Sequence, residues 1–258
     1  MAVSTGAQAV RRALSVLAVF TSARPRWRLA EVARELGLTQ STTSRLLTNL
    51  EGFGLLERDP RTGLYSLGLE IVALSCVALN SRDLFRHALA PMARVAEELK
   101  HVVNLGVLSG DRVLNLANVD HPANLVPRAL TGSWDSIHGS ALGAVLVAAL
   151  PKAEQAALAM GLDYEPYTPH TVHSAEQFLA KVEAAARAGF AIDREEQGLG
   201  RGCVAAPIRD ETGSVVAACS VSGRISVLDL DRRLAELSLH MIELGDAISR
   251  SLGYSPHR

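Results

Sequence analysis

One helix-length segment, residues 40–53, carries small hydrogen-bonding side chains along one side. Helical spacing predicts that Leu46, Leu47, Leu50 and Phe53 share the opposite, inward side. The polar side consists of short hydroxyl and amide groups and one guanidinium: Gln40, Ser41, Thr42, Ser44, Arg45 and Thr48. Short side chains let a helix approach DNA closely enough to contact phosphate oxygens and base edges in the major groove. The pattern therefore predicts a DNA-contacting helix.

The residues ahead of this segment predict the helices that support it. Residues 30–36 form a short amphipathic helix pattern that ends at Gly37, since glycine tolerates the left-handed backbone of helix ends. A further helix is predicted over residues 9–20. Its inward side would carry Val10, Leu14, Leu17 and Phe20. Two helices joined by a tight turn, the second with a polar outer face, predict a helix-turn-helix.

Two short strand-like runs, residues 55–58 and 64–67, follow the polar helix. The five residues between them include Pro60 and Gly63, which favour a tight turn. A hairpin in this position predicts a wing, and Arg58 and Arg61 would bring cations to the DNA backbone. A winged helix used only for contacts with other proteins is the alternative.

The charge distribution favours the DNA interpretation. Through Gly68 the chain has nine arginines and five acidic residues, a net charge of +4. The remainder has 17 basic and 22 acidic residues, a net charge of −5. A basic segment in a nearly neutral chain is typical of local phosphate contact.

An apolar helix pattern, residues 69–79, follows the wing directly. Leu69, Val72, Cys76 and Leu79 share one side, so the helix is expected to be buried in its own domain or against a partner. We favour a partner, because two-fold symmetric dimers match the two half-sites of a palindromic operator. The expected assembly is a homodimer or tetramer. The predicted organisation is a DNA-binding domain at residues 1–68, a dimerisation linker at 69–83 and a second domain at 84–258.

The second domain alternates between helix and strand patterns. Helices are expected at 84–99, 140–149, 152–160, 175–189 and 230–252, and strands at 102–107, 112–119, 125–130, 204–209 and 214–222. Turn residues at Gly110 and Asp111, and at 210–213, join neighbouring strands as hairpins. Hairpins with separate helices predict an α+β domain with a mainly antiparallel sheet.

Composition excludes several other classes of protein. Three scattered cysteines are too few for a disulfide framework or a cysteine-based zinc site. His170 and His173 lie three residues apart, but no further metal ligand accompanies them, so they are interpreted as a solvated loop. The sequence has no apolar run long enough to cross a bilayer and no secretion signal pattern. We therefore expect a cytoplasmic protein with no membrane partner, no cofactor and no metal.

Two alternative chemistries depend on the cysteines. Cys203 as nucleophile, His138 as base and Asp193 as orienting group would have the composition of an acyl-transfer triad. A thiol sensor built on Cys203 and Cys219 is the other alternative. The winged helix disfavours an enzyme, and a DNA-binding regulator remains the leading hypothesis.

Taken together, these segments resemble the IclR family of bacterial transcriptional regulators. The resemblance covers residues 9–20, 29–68, 138–151, 190–210 and 217–226, in the family's order. It implies a winged helix-turn-helix, a linker helix that dimerises and a GAF-like effector domain that binds a small molecule, often an organic or aromatic acid. It leaves repression and activation both open.

The resemblance also implies an effector-binding set. Residue by residue, the family's pocket falls on Ala141, Leu142, Asp193, Cys203, Ser220 and Ser222. The helix that follows His138 could add backbone N–H donors for a carboxylate. Asp193 would repel an acidic ligand, so a role in capping a turn or recognising a ligand hydroxyl is expected for it.

Hairpin geometry supports part of this set independently. If residues 210–213 close a tight turn, the residue numbers of facing pairs sum to about 423, so Cys203 faces Ser220. Facing residues, and residues two apart, point to one side of a sheet. Cys203, Ser220 and Ser222 should therefore share one face, with Cys219 on the other.

Overall fold

The chain forms two compact units, Met1–Ser81 and Arg82–Arg258. The computed structural model describes residues 5–121 and 131–255. The predicted strand at 125–130 falls outside the described residues. The boundaries proposed for the linker, residues 69–83, remain a prediction.

The first unit is a winged helix-turn-helix, as predicted. Its elements are α1 (Thr5–Ala18), α2 (Leu29–Glu35), α3 (Gln40–Gly52), β1 (Leu56–Arg58), β2 (Tyr65–Leu67) and α4 (Leu69–Asn80). The wing strands are antiparallel, with Leu56 opposite Leu67. Trp27 forms an isolated bridge with Tyr65, which adds a third backbone segment to the wing.

Two predictions about inward-facing residues of this unit are wrong. Val10 and Leu14 are 61% and 60% exposed. The helix carries two apolar stripes, and the core uses the one around Val16, which is fully buried. Phe53 is 76% exposed because α3 ends at Gly52, so Phe53 no longer follows the helical stripe that buries Leu50.

The apolar helix α4 has no buried side chain among its residues. Leu69, Val72, Leu74 and Val77 all have more than half of their surface exposed. The alternative that this helix is buried in the core of its own domain is therefore wrong.

The second unit is an α+β domain, as predicted. Its elements are α5 (Asp83–Leu99), β3 (Val102–Ser109), β4 (Arg112–Val119), β5 (Trp134–Ser136), α6 (Ala141–Ala148), α7 (Lys152–Gly161), α8 (Ala175–Ala188), β6 (Ala191–Arg194), β7 (Arg201–Arg209), β8 (Val215–Arg224), α9 (Ile225–Leu228) and α10 (Leu230–Ser251). The six strands lie in the order β5-β4-β3-β8-β7-β6. Every neighbouring pair is antiparallel. The sequence patterns did not predict β5, β6 or α9.

Helices cover both faces of this sheet. On one face α10 packs closely on β7, and a Cβ at Gly245 would lie only 2.4 Å from the carbonyl oxygen of Pro207. On the other face α6 packs on the sheet through apolar residues, with Leu142 beside Val113 and Ala218 in one core cluster. Beyond this cluster, the α6 face carries polar side chains instead of core residues.

Candidate DNA interface and ligand pocket

The recognition helix α3 begins with an ordered group of hydroxyls. The Thr39 hydroxyl caps the helix by accepting a hydrogen bond from the Thr42 backbone N–H at 3.3 Å. It also lies 2.9 Å from the Thr42 hydroxyl and 3.2 Å from that of Ser41. A capped helix N-terminus with exposed hydroxyls suits phosphate contact, because its dipole favours an anion.

Most of the predicted DNA-contacting residues are exposed on the winged helix. The exposed ones are Gln40, Ser41, Arg45, Thr48, Arg58 and Arg61, while Thr42 and Ser44 are half-buried. The side chains between them, Thr43, Leu47 and Leu50, are buried. Within residues 5–121 and 131–255, the Arg45 guanidinium makes no hydrogen bond and no ion pair, so it is available for an external partner.

The wing is held in shape by Asp59. Its carboxylate accepts hydrogen bonds from the backbone N–H groups of Arg61 at 2.8 Å and Thr62 at 3.2 Å. These backbone hydrogen bonds lower the pKa of Asp59. Arg28 donates to the Thr62 carbonyl at 3.1 Å and so ties the wing to the start of α2. Sequence reasoning missed Arg28, because its partner lies 34 residues away.

The β7–β8 hairpin places the predicted pocket residues on one face, with a corrected register. Cys203 pairs with Ser222, and Ser220 pairs with Ala205, so the predicted pairing of Cys203 with Ser220 is wrong. A longer turn and a bulge at Ile208/Arg209 shift the register by two residues. A shift of two keeps each side chain on its face, so the expected common face of Cys203, Ser220 and Ser222 is unaffected.

An asparagine network that the sequence analysis missed joins this face. Asn104 donates through Nδ2 to the hydroxyl oxygens of Ser220 and Ser222, both at 3.1 Å. Its Oδ1 accepts from Asn118 Nδ2 at 2.7 Å. Because each serine oxygen already accepts from Asn104, the serine protons are left to donate.

Asp193 lies on the same face, opposite Cys203. Its Oδ1 accepts a hydrogen bond from the Glu196 backbone N–H at 2.7 Å, so it caps the turn that follows β6, as one of the sequence interpretations expected. Burial is the largest influence on its carboxyl and raises its pKa to about 6, although the positive charge of Lys181 opposes this shift.

A buried ion pair fixes the loop beside Asp193. Lys181 Nζ lies 2.5 Å from Glu196 Oε2, and both side chains are largely buried. Thr171 donates to the Glu196 carbonyl at 2.5 Å, and Thr168 donates to the Glu195 carbonyl at 2.6 Å. None of these contacts follows from local sequence, because they join residues 15 to 27 positions apart.

Helix α6 presents its N-terminus next to the polar face. The Ser140 hydroxyl caps it by accepting from the Gly143 N–H at 3.1 Å, and it donates to the Ser136 carbonyl at 2.7 Å. Ala141 and Leu142 are buried. Among the described residues, their backbone N–H groups have no hydrogen-bond acceptor, which leaves two donors at the positive end of the helix.

The cysteines do not form the alternative sites. Burial, followed by the nearby charge of Asp193, raises the pKa of the Cys203 thiol to about 12. The His138 ring contacts the Glu165 carbonyl at 3.2 Å and stacks on Tyr167, so it packs in a loop and forms no hydrogen bond with Cys203. Cys219 donates to the Met241 carbonyl at 3.4 Å on the α10 face, opposite Cys203, which disfavours a thiol pair.

Two further findings concern metals and membranes. Within the described residues, no group of three or more histidine, cysteine or acidic side chains is arranged to hold a metal ion. None of the helices in the same ranges has the length and apolar character that a bilayer-spanning helix requires. His170 and His173 are exposed, as expected for a loop.

These features define a class, the two-domain DNA-binding transcriptional regulators. The family is specified by sequence: residues 9–60 match the IclR helix-turn-helix domain, and residues 76–250 match the C-terminal domain of the bacterial transcriptional regulator IclR. The chain belongs to the IclR family of bacterial transcriptional regulators.

Individual relatives agree over nearly the full length. The chain is 30% identical to the HTH-type transcriptional regulator XynR of Escherichia coli over 247 residues, covering 96% of this chain and 98% of XynR. It is 28% identical to the repressor AllR of Escherichia coli over 252 residues, covering 98% and 93% of the two chains.

Solved structures share the fold. A transcriptional regulator from Rhodococcus sp. RHA1 has a TM-score of 0.85 at 24% identity, covering 95% of this chain and 98% of that one. An IclR homologue from Microbacterium hydrocarbonoxydans, crystallised with 4-hydroxybenzoate, has a TM-score of 0.83 at 25% identity and the same coverage.

Proposed function

We propose that this regulator binds a palindromic DNA operator and that a small organic acid, bound in the second unit, changes its affinity for that operator. The observation that carries the proposal is the convergence of hydroxyl and N–H donors on one face of the sheet. Ser220 and Ser222 have protons left to donate. The buried N–H groups of Ala141 and Leu142, at the start of α6, have no acceptor in the part of the chain that the structure describes. A carboxylate is the ligand group that this arrangement fits.

Asp193 supports this pocket by positioning its loop. Its carboxyl accepts from the Glu196 N–H, and the Lys181–Glu196 pair holds the same loop. With a pKa raised to about 6, Asp193 is still mostly ionised at pH 7 but takes up its proton in mild acid, where it repels an acidic ligand less than an ordinary aspartate would. The 4-hydroxybenzoate complex of the Microbacterium relative supports an acid as the chemical class.

We propose that a second copy of this chain covers α4. Four apolar side chains of α4 are more than half exposed, and an uncovered apolar surface of this kind is typical of an interface. Val10 and Leu14 of α1, in the same unit, are exposed apolar side chains as well. A two-fold dimer, or a tetramer built from two dimers, would present two recognition helices to the two half-sites of a palindrome.

We propose no catalytic role. A cysteine nucleophile acts as a thiolate, and the raised pKa of Cys203 keeps it protonated at neutral pH. As a DNA-binding member of a bacterial family, the protein is proposed to act in the cytoplasm, where the chromosome lies.

The test measures ligand and DNA binding with the full-length chain. Small aliphatic and aromatic acids are screened by thermal shift, and DNA from the region upstream of the regulator's own gene is titrated with and without each hit. An effector can act only if it binds the DNA-competent and DNA-incompetent forms unequally, with a usual coupling of about 1–3 kcal/mol.

A double variant, Ser220→Ala/Ser222→Ala, locates the pocket. It should lose most of the stabilisation that the acid provides, whereas Ser226→Ala, at an exposed serine, should keep it. A hit whose stabilisation survives the double substitution undiminished would place the pocket elsewhere. Acids that bind without changing DNA affinity would contradict the regulatory proposal.

A further inference from the structure

Asn115 has a buried acceptor without a partner. The side chain is 1% exposed, and its Oδ1 is the one buried side-chain nitrogen or oxygen among the described residues that makes no hydrogen bond. Leaving a buried carbonyl unpaired is costly, and native structures usually pair such groups with protein, water or ligand. The unpaired oxygen therefore indicates that a hydrogen-bond donor from outside the chain belongs at this position.

The orientation of the amide is fixed by its neighbours. Asn115 Nδ2 donates to Asp135 Oδ2 at 2.8 Å and to the Ser133 hydroxyl at 3.2 Å. Turning the amide over would place its oxygen against the Asp135 carboxylate, where two acceptors would face each other. The second oxygen of Asp135 accepts from Gln197 at 2.8 Å. The unpaired atom is thus the oxygen of Asn115.

Asn115 lies beside the proposed carboxylate site. It pairs across the sheet with Gly106, and a Cβ at Gly106 would lie 3.1 Å from a methyl group of Leu142, in the first turn of α6. Asn104, which orients Ser220 and Ser222, is two residues from Gly106 and shares its face. The unpaired oxygen and the proposed carboxylate donors therefore border one region of the sheet.

We propose that Asn115 Oδ1 accepts a hydrogen bond from a hydroxyl group of the effector, and that the effector is consequently a hydroxy acid. This inference rests on the proposed function and specifies its ligand. The carboxylate would bind at the N-terminus of α6 and the serines, and the hydroxyl would bind at Asn115. A ligand with only apolar atoms at that end would displace any water there and leave the acceptor unpaired.

Matched pairs of acids test this inference. The probes are 4-hydroxybenzoate against benzoate and 6-hydroxyhexanoate against hexanoate, with the dissociation constants measured by calorimetry on the full-length chain. In at least one pair, the hydroxy acid should bind the wild-type protein about tenfold more tightly or better, the scale of one buried hydrogen bond. Equal affinities within both pairs would overturn the inference without requiring any variant.

Substitutions test whether Asn115 causes the difference in affinity between the hydroxy acids and the acids without a hydroxyl. Asn115→Leu should reduce the affinity ratio to about one, mainly by weakening the hydroxy acid, and Asn115→Ala should do the same if the larger residue disturbs folding. Ser133→Ala is the matched control, since it removes a partner of Nδ2 and leaves Oδ1 unchanged, so the ratio should persist. A ratio that survives both Asn115 substitutions would overturn the inference.

The two proposals fail in distinguishable ways. One outcome is that the acids without a hydroxyl bind with the same affinity as the hydroxy acids and change DNA affinity to the same extent. The assignment of Asn115 then fails and the proposed function stands. If no acid of either kind binds, the proposed function fails, and the hydroxy-acid inference fails with it.

Discussion

Asn104 on β3 faces Ser220 on β8, and its Nδ2 donates to the serine hydroxyl at 3.1 Å. This contact makes the serine a hydrogen-bond donor to the proposed pocket, because a hydroxyl whose oxygen accepts inside the protein has its proton left for a ligand. The same amide nitrogen also donates to Ser222. One asparagine thus prepares two serines to bind an anion.

Replacing the Asn104 amide by a carboxylate should turn the donor that faces the two serines into an acceptor. In Asn104→Asp, the oxygen that replaces Nδ2 would accept from the serines, while the other oxygen keeps Asn118 as its donor. The serine protons would then no longer be available to an acid, and a negative charge would lie nearby. We expect acid binding to weaken at least about tenfold, equivalent to about 1.4 kcal/mol or more. Calorimetry with a hit from the acid screen measures this; unchanged affinity would show that the serines do not donate to the ligand.

Arg45→Ala should weaken specific DNA binding without disturbing the fold. The guanidinium is exposed on α3 and has no partner among the described residues, so its removal costs no internal contact. A bidentate base contact would make the loss about 1–3 kcal/mol on the operator. Fluorescence anisotropy on operator and random DNA measures it, with Arg187→Ala, an exposed arginine of the second unit, as control.

Salt dependence identifies what Arg45 contacts. If it binds only phosphate, the loss should be equal on both DNAs, and the slope of log affinity against log salt should fall by about one. Unchanged binding to both DNAs would show that α3 approaches DNA with a different face.

Charged substitutions on α4 should dissociate the assembly. Val72 and Val77 are more than half exposed in the single chain, so Val72→Asp/Val77→Asp disturbs little internal packing and should place charges in the proposed interface. Light scattering should report monomers at micromolar concentration, and operator affinity should fall because two half-sites are no longer bound together. Val227→Asp, at an equally exposed valine of α9, is the control. A variant that keeps the wild-type mass would contradict an interface on α4.

The sequence predicted those parts of the structure that depend on local periodicity. The polar side of α3 and the hairpin of β7 and β8 follow from helix and strand spacing, and the shared face of Cys203 and Ser222 survived a wrong register because the error was two residues. Phe53 was misplaced because helical spacing does not show that α3 ends one residue earlier.

The asparagines could not be found by the same reasoning. Asn115 and Asn118 are three residues apart, and alternation along a strand would place them on opposite faces. A bulge between Leu105 and Gly106 changes the pairing, so that Asn118 faces Asn104 and Asn115 faces Gly106, and both asparagines point to the same side. Bulges depend on contacts between distant strands and leave no clear local signal.

Asp193→Asn should stabilise the protein at neutral pH and lose that advantage in acid. Burial raises the folded-state pKa of Asp193 from 3.8 to about 6, so the folded state holds its proton at pH values where the unfolded state has lost it. Stability is therefore lost as the pH rises through this window, by an amount on the order of 1–3 kcal/mol above about pH 6. Asparagine keeps an oxygen for the Glu196 N–H and carries no charge, so its advantage over the wild type should grow between pH 5 and pH 7.5.

Urea unfolding at the two pH values measures the difference, with Asp246→Asn, at an exposed aspartate of α10, as control. An advantage of equal size at both pH values would mean that Asp193 has an ordinary pKa in the folded chain.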